Sequence, residues 1–306
     1  MFEDIVGHSL VLRLLQRSLE TGRASHAYLF LGPSGVGKAK VARAVALTLV
    51  GGTGRPESNL HPDIREIHPQ GSSLRLSQIR ELKTDALLAP AIAKRKVYLI
   101  HSAETLTIEA ANSFLTLLEE PPATTHFILI ADRPSIFGTI VSRCQVLRFG
   151  FLTLPETVSV LRRTLPQKAE LEAVARMSLG SPGEAMRWLE PGALERQHEM
   201  ALLAQSIMNG SGAEKLSQMA RLEEKKDDLH AYVSFLALWM RDVLCLKLAL
   251  RECVVLPYRR EIEAQAHRLE LSTITSYLLR LQELLTRWSP STNKRLVLDQ
   301  LFLVLK

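Results

Sequence analysis

Leu29-Phe30-Leu31-Gly32-Pro33-Ser34-Gly35-Val36-Gly37-Lys38-Ala39 is the stretch that decides how this 306-residue sequence folds. Ala27 to Leu31 is an uninterrupted apolar run and reads as a buried strand. It stops at a glycine loop spaced G-x-x-x-x-G-K, and the amphipathic run Lys38 to Val50 reads as a helix. Strand, glycine loop and helix in that order make a phosphate-binding loop. The glycines let backbone N–H groups converge on an anion, and the helix N-terminus adds partial positive charge. Gly32, Gly35, Val36, Gly37, Lys38 and Ala39 are the candidate phosphate contacts. Ala39 stands where a Ser or Thr hydroxyl serves magnesium, so the motif is incomplete at its last position.

Working outward, residues 5–20 carry Val6, Leu10, Leu14, Leu15 and Leu19 at helical spacing. Downstream of the loop helix, Gly51 to Asn59 is rich in turn formers, and His61-Pro62-Asp63 opens a second strand, Ile64 to His68. A helix over Leu76 to Leu88 follows, with Pro90 as its stop. Lys94-Arg95-Lys96 reads as a solvated turn before a third strand, Val97 to Ile100. Thr107 to Glu120 reads as a helix stopped by Pro121-Pro122, and Phe127 to Ala131 and Val146 to Phe149 as two further strands. Five short apolar strands alternating with helices specify an α/β fold, a parallel sheet covered on both faces. From Pro155 onward strands vanish and helical patterns take over, over 155–165, 168–179, 182–190 and then longer segments. The expected organisation is an α/β domain at 1–150, a small helical domain at 151–209 and a helical domain at 210–306, with Gly210-Ser211-Gly212 marking the last boundary.

Composition is that of an ordinary globular chain, 46% hydrophobic and 23% charged. The net charge of +6 permits proximity to nucleic acid without arguing for it. Cys144, Cys245 and Cys253 form neither a C-x-x-C pair nor a zinc-ligand spacing, and a reduced cytoplasmic setting is the expectation. The N-terminus lacks a basic segment followed by an apolar core, so no signal peptide is expected. Ala231 to Leu250 is interrupted by Arg241, Asp242 and Lys247 and reads as a packed helix, not a membrane span. Trp188, Trp239 and Trp288 sit amid Leu and Ala at helical positions and read as core. His61 and His68 without further ligands do not make a metal site, and Arg221 to Lys226 reads as a solvated helix face.

Several stretches together resemble the clamp-loader family of bacterial DNA polymerase III, within the AAA+ class, and among its members the delta-prime subunits. They are Ser25-His26-Ala27-Tyr28-Leu29-Phe30, His61-Pro62-Asp63, Ala110 to Pro122 with its L-L-E-E-P-P run, Thr139 to Gln145 containing Ser142-Arg143-Cys144, and Gly180-Ser181-Pro182-Gly183-Glu184-Ala185. The likeness covers roughly residues 1–190. It implies an AAA+ sheet domain, a small helical lid and a C-terminal oligomerisation collar. The implied partners are motor subunits of the gamma or tau type and a delta subunit in a hetero-oligomeric ring, with the sliding clamp and primer-template DNA met through the assembly. Arg143 is then an arginine finger that reaches the nucleotide held by a neighbouring subunit, where a planar permanent cation meets phosphate oxygens. Cys144 beside it reads as a small apolar residue, not a nucleophile.

Against that family the nucleotide site is depleted. Active relatives end the third strand in Asp-Glu, the first serving magnesium and the second polarising water, and this chain has His101 and Ser102 there. Neutral histidine is a poor partner for a hard cation, and serine cannot act as a carboxylate base. Glu104 lies three residues on, off the strand end. The fourth strand ends in Asp132 where relatives place Thr or Asn, Gly183 replaces a sensor arginine, and Arg187 lies one helical turn beyond it. The expectation is a subunit without intrinsic ATP hydrolysis. Whether ATP or ADP rests on the loop without turnover, or the glycines only preserve a tight turn, stays open in the sequence. No zinc is expected, because residues 51–60 lack the cysteines of the family's zinc module. The alternative function is a motor-type or solitary AAA+ ATPase in which Glu104 replaces the missing acid.

Overall fold

Residues 1–52, 61–166, 170–209, 214, 217, 229–288 and 293–304 are described by the structure, a computed structural model. The apolar run before the phosphate loop is β1 (Ala27–Leu31), buried at every position. With β2 (Ile64–Ile67), β3 (Lys96–Ile100), β4 (Thr125–Ala131) and β5 (Gln145–Arg148) it forms one sheet in the order β2-β3-β4-β1-β5. Every pairing is parallel. Parallel neighbours need crossovers. These run through α2 (Lys38–Leu49), α3 (Leu76–Ala86), α4 (Ile108–Glu119) and the single turn α5 (Gly138–Val141), while α1 (Ser9–Glu20) precedes β1.

Alternation along β1 sorts the core into two layers. Ala27, Leu29 and Leu31 face a cluster with Ile79, Leu82, Phe114 and Leu117 of α3 and α4. Tyr28 and Phe30 face one with Val11, Leu15, Val41 and Val45 of α1 and α2. The apolar stripe of the first helix differs from expectation: Val11 and Leu15 are buried, whereas Leu10 and Leu14 are exposed. The helix begins only at Ser9, after His8 turns the chain with φ 55°, so Val6 lies outside it and the inward stripe is rotated. Lys96 also departs from the expected solvated turn. It is the buried first residue of β3, and its Nζ donates to the Asp85 carbonyl at 3.0 Å beside the Asp85 carboxylate.

Two compact units make up the chain, residues 1–186 and 187–306. After the sheet, α6 (Leu154–Thr164), α7 (Leu171–Met177) and most of α8 (Pro182–Arg187) belong to the first unit. Thr153 and Glu156 cap α6 reciprocally, the Glu156 carboxylate accepting the Thr153 N–H at 2.8 Å. The second unit holds α9 (Ala193–Asn209), α10 (Leu229–Lys247), α11 (Arg259–Arg268), α12 (Leu271–Arg287) and α13 (Lys294–Val304). Residues 151–209 thus contribute to both units, and the boundary expected at Gly210-Ser211-Gly212 and the run Arg221 to Lys226 lie outside the described residues.

Within the second unit, α10 is long and apolar enough to cross a membrane by length and composition alone, yet it is the core element. Tyr232, Val233, Phe235, Leu236, Trp239 and Met240 are buried, with α9, α11 and α12 packed around them. Two polar anchors inside it are satisfied: Trp239 Nε1 donates to Gln265 Oε1 at 2.8 Å, and Asp242 accepts the N–H groups of Val255 and Leu256 at 3.0 and 2.8 Å.

Candidate functional site

The phosphate loop leaves β1 at Gly32, whose N–H donates to the Ala131 carbonyl of the adjacent β4 at 3.2 Å. A Cβ at Gly32 would lie 2.2 Å from the Phe149 carbonyl oxygen, so this turn admits only glycine. Gly37, with φ 102°, caps α2. From there the loop curls so that its carbonyls are engaged. Lys38 Nζ donates to the carbonyls of Gly32 and Pro33 at 2.7 and 2.6 Å. The Ser181 hydroxyl donates to the Ser34 carbonyl at 2.9 Å, the Gly183 N–H donates to that of Gly35 at 2.9 Å, and His8 Nε2 donates to that of Val36 at 2.9 Å. Among the described residues no protein acceptor takes the N–H groups of Gly35 to Ala39. This is an anion cradle of backbone donors at a helix N-terminus.

Asp132 closes that cradle. It follows Ala131 at the end of β4, and its Oδ1 lies 2.8 Å from Lys38 Nζ. The Asp132 N–H donates to Glu104 Oε1 at 3.3 Å. Glu104 therefore stands next to the loop's own ion pair, nearer the site than its place beyond the strand end suggests. Burial pushes its carboxyl above the usual range, and its second oxygen is buried with no partner among the described residues.

The two positions where active relatives carry Asp-Glu are filled by a separate network. His101 Nε2 lies 3.0 Å from Glu66 Oε2, and Arg43 forks onto the same carboxylate, Nε to Oε1 at 2.6 Å and a terminal nitrogen to Oε2 at 2.9 Å. The Arg43 guanidinium holds the Glu66 carboxyl down at about 2 in spite of its burial. Burial, helped by His68, lowers the His101 pKa in spite of Glu66, so the imidazole is neutral. Glu66, His68 and His101 bring three potential ligand atoms within 4.8 Å of one another. The two imidazoles, however, stack at 4.1 Å and 13°, so their lone pairs run side by side and do not converge on one ion. Ser102 adopts φ 50° as the chain turns into the short helix Ala103–Thr105.

In α8, Gly183 rests directly on the loop: a Cβ there would lie 2.6 Å from Gly35 Cα. A sensor arginine cannot occupy this position without moving the loop. Arg187 is exposed at the end of α8.

Arg143 lies elsewhere. It follows α5 and precedes β5, and Gln145 pairs with Tyr28. Arg143 is thus level with residue 26, at the N-terminal end of a sheet whose phosphate loop is at the C-terminal end. At about 3.3 Å per residue the strand alone separates the two by roughly 16 Å. One terminal nitrogen of its guanidinium donates to the Thr139 carbonyl and the Ser142 hydroxyl at 3.0 and 3.3 Å, and the other to Glu119 Oε1 at 2.6 Å. That leaves the Nε–H and one terminal N–H without a protein acceptor among the described residues. Cys144 is half-buried, and burial pushes its thiol up to about 12, which rules out thiolate chemistry.

His61-Pro62-Asp63 has a structural role. Asp63 is buried, and its carboxylate accepts the N–H groups of Ala91, Ile92 and Ala93 at 2.5, 2.9 and 2.7 Å, pinning the loop before β3 to the start of β2. Sequence reasoning missed two partnerships, Asp132 with Lys38 and Arg43 with Glu66. The first had a signal, an acid where relatives place a neutral residue. The second had none, because the partners are remote in sequence.

Comparison with known proteins agrees with this layout. The family model described as DNA polymerase III, delta subunit matches residues 7–153. The delta-prime subunit of DNA polymerase III from Bacillus subtilis is 39% identical over 152 residues, covering 45% of this chain and 46% of the relative. The tau subunit of the same organism is 27% identical over 287 residues, covering 81% and 50% respectively. The chain spans about half the length of these curated relatives. A crystal structure of a gamma subunit-related protein from Thermotoga maritima shares the fold, with a TM-score of 0.52, 17% identity and coverage of 95% and 98%. The parallel sheet has the AAA+ type of fold, and residues 7–153 are similar to the clamp-loader subunits of DNA polymerase III.

Proposed function

We propose that this chain works as a delta-prime-type subunit of a clamp loader: it does not hydrolyse ATP, and it supplies Arg143 to the nucleotide of a neighbouring motor subunit. The observation that carries the reading is the position of Arg143. It is too far from its own phosphate loop to serve it, and it keeps two N–H groups for an outside acceptor. In this role the guanidinium offsets charge that develops on the neighbour's transferring phosphate. The partners are motor subunits of the gamma or tau type and a delta subunit in a cytoplasmic hetero-oligomer, which places a sliding clamp on primer-template DNA.

The residues at the loop support non-hydrolysis. A bound nucleotide supplies the phosphates, but magnesium finds no hydroxyl at Ala39 and only a neutral, engaged imidazole at His101. The test is reconstitution with motor and delta subunits. Arg143→Ala should lower clamp- and DNA-stimulated ATP turnover at least tenfold, a modest fraction of the roughly 10³–10⁵ that such fingers contribute elsewhere. Arg143→Lys should fail to restore it, since an ammonium lacks the fork. Unchanged turnover in both variants refutes the finger.

Glu104, beside Asp132 and with a raised pKa, favours a second reading in which this chain is itself an ATPase with an unusual acid. Magnesium-dependent turnover by the isolated chain, abolished by Glu104→Gln, would establish it.

A further inference from the structure

Lys38 is the group on which a terminal phosphate must be held, and it has nothing left to give. An ammonium has three N–H donors. Here they meet Gly32 O at 2.7 Å, Pro33 O at 2.6 Å and Asp132 Oδ1 at 2.8 Å. The lysine side chain is 3% exposed, so water does not share it. Two of the three acceptors are loop carbonyls that the fold fixes. Asp132 is the only side chain among them, and at 38% exposure it is the half of the ion pair that can swing out.

The topology puts it there. β4 neighbours β1, Leu31 is in register with Ala131, and the Gly32 N–H bonds the Ala131 carbonyl. The next residue of β4 therefore emerges beside the first residue of the loop. Glu104 accepts the Asp132 N–H and so anchors the backbone from which the carboxylate reaches the mouth of the cradle. Meanwhile the backbone donors of Gly35 to Ala39 remain in place with no protein acceptor among the described residues. The loop retains its shape for a phosphate while its cation is already neutralised.

We propose that Asp132 is an internal counter-ion that determines occupancy of this loop: its carboxylate takes the place of a terminal phosphate oxygen on Lys38 and keeps nucleoside di- and triphosphates out. The inference rests on reading Gly32–Ala39 as a retained phosphate loop in a non-hydrolysing subunit, and it makes the resting subunit nucleotide-free. A polyphosphate entering the cradle must displace Asp132 and then meet a carboxylate at the position its own charge needs. Without that carboxylate, Lys38 turns to the ligand.

The experiment is equilibrium titration of the full chain with the fluorescent analogues N-methylanthraniloyl-ATP and -ADP. Wild type, Asp132→Ala, Asp132→Asn and the double variant Asp132→Ala/Lys38→Ala are compared, each first shown by circular dichroism to be folded. The expected result is at least tenfold tighter binding by Asp132→Ala than by wild type. Asp132→Asn, which loses the charge and keeps an acceptor, should fall between them, and the double variant should lose the whole gain. Equal affinity of wild type and both single variants, at whatever level, overturns the proposal. So does a gain that survives removal of Lys38. These outcomes are separate from the finger: failure here leaves the Arg143 comparison untouched, whereas ATP turnover by the wild-type chain sinks the non-hydrolysing reading whatever Asp132 does.

Discussion

Glu66 offers the sharpest test of the idea that the former cation position is filled by the protein's own charges. Its side chain is 8% exposed and carries the Arg43 fork and the His101 contact. Arg43 first, and then His101, hold its carboxyl at about 2, well below the ordinary glutamate value of about 4.5. The sign follows from proton counting. Between those values the unfolded chain binds a proton that the folded chain does not, so stability rises with pH across that interval. The difference amounts to about 3 kcal/mol, fully present above pH ~4.5 and lost as pH falls through ~2, with about 2 kcal/mol already gone by pH ~3. Other carboxylates titrate in the same range, so the measurement must be a difference. Urea unfolding of wild type and Glu66→Gln from neutral pH down to pH ~3 should show the gap between them closing by about 2 kcal/mol. Arg43→Met, which keeps the aliphatic stem and removes the fork, should abolish most of that pH dependence. A gap between wild type and Glu66→Gln that stays constant down to pH ~3 would mean that Glu66 is not held in an ion pair, and the filled-site argument would fail with it.

Two further outcomes follow from packing around the site. Gly183→Ala should destabilise the first unit by about 1–3 kcal/mol, because its Cβ would press on the Gly35 backbone and not on a side chain that can turn away; a denaturant midpoint equal to wild type would show that α8 does not bear on the loop. Asp63→Ala removes three charge-assisted bonds to N–H groups, each worth about 1.5–3 kcal/mol. Ile92 beside them is exposed, so water recovers part of the loss and the net cost should be about 2–4 kcal/mol. A urea titration showing less than about 1 kcal/mol would refute a structural role for the motif.

The fold was largely legible in the sequence because buried parallel strands read as continuous apolar runs and their neighbours are punctuated by glycine and proline. β1 has the expected bounds, and the ends of α2 and α4 fall within one residue of expectation. Two of the misses share one cause, a polar side chain buried against its acceptor. β4 begins at Thr125, two residues before the apolar run, because Thr125 and His126 are polar yet buried. The Thr125 hydroxyl donates to the Ala86 carbonyl at 3.3 Å, and His126 Nδ1 bonds the Ser25 carbonyl at 2.8 Å. Lys96 is buried for the same reason, with Asp85 as its partner. A hydropathy pattern registers the polarity of a residue and not the acceptor that satisfies it. The site was legible in its deficits, since Ala39, His101 and Ser102 can be read against an active pattern. What fills it was not, because Lys38 and Asp132, or Arg43 and Glu66, meet only through the strand order.

Those pairings bear on why a loop without its catalytic partners keeps its form. Decay by simple loss leaves buried donors and acceptors without partners, each costing about 1–3 kcal/mol. This site instead satisfies its polar groups internally: Asp132 neutralises Lys38, Glu66 takes the Arg43 fork and a hydrogen bond from the neutral His101, and Gly183 closes onto the Gly35 backbone. Glu104 Oε2 is the exception, buried without a partner among the described residues, and its raised pKa is the corresponding response, since a neutral carboxyl tolerates burial better. A loop stabilised in this way holds β1, β4 and α8 together. The sheet can then serve as a rigid frame whose far end keeps Arg143 fixed by Glu119, Thr139 and Ser142. The finger role proposed for Arg143 requires rigidity at that end, because a group acting on another subunit's nucleotide gains nothing from a frame that opens when its own loop is empty. If that coupling is right, Lys38→Ala, which breaks the central ion pair far from Arg143, should lower motor turnover in the reconstituted assembly along with the stability of the first unit. Lys38→Ala with lowered stability and wild-type turnover would show that the two ends of the sheet act independently.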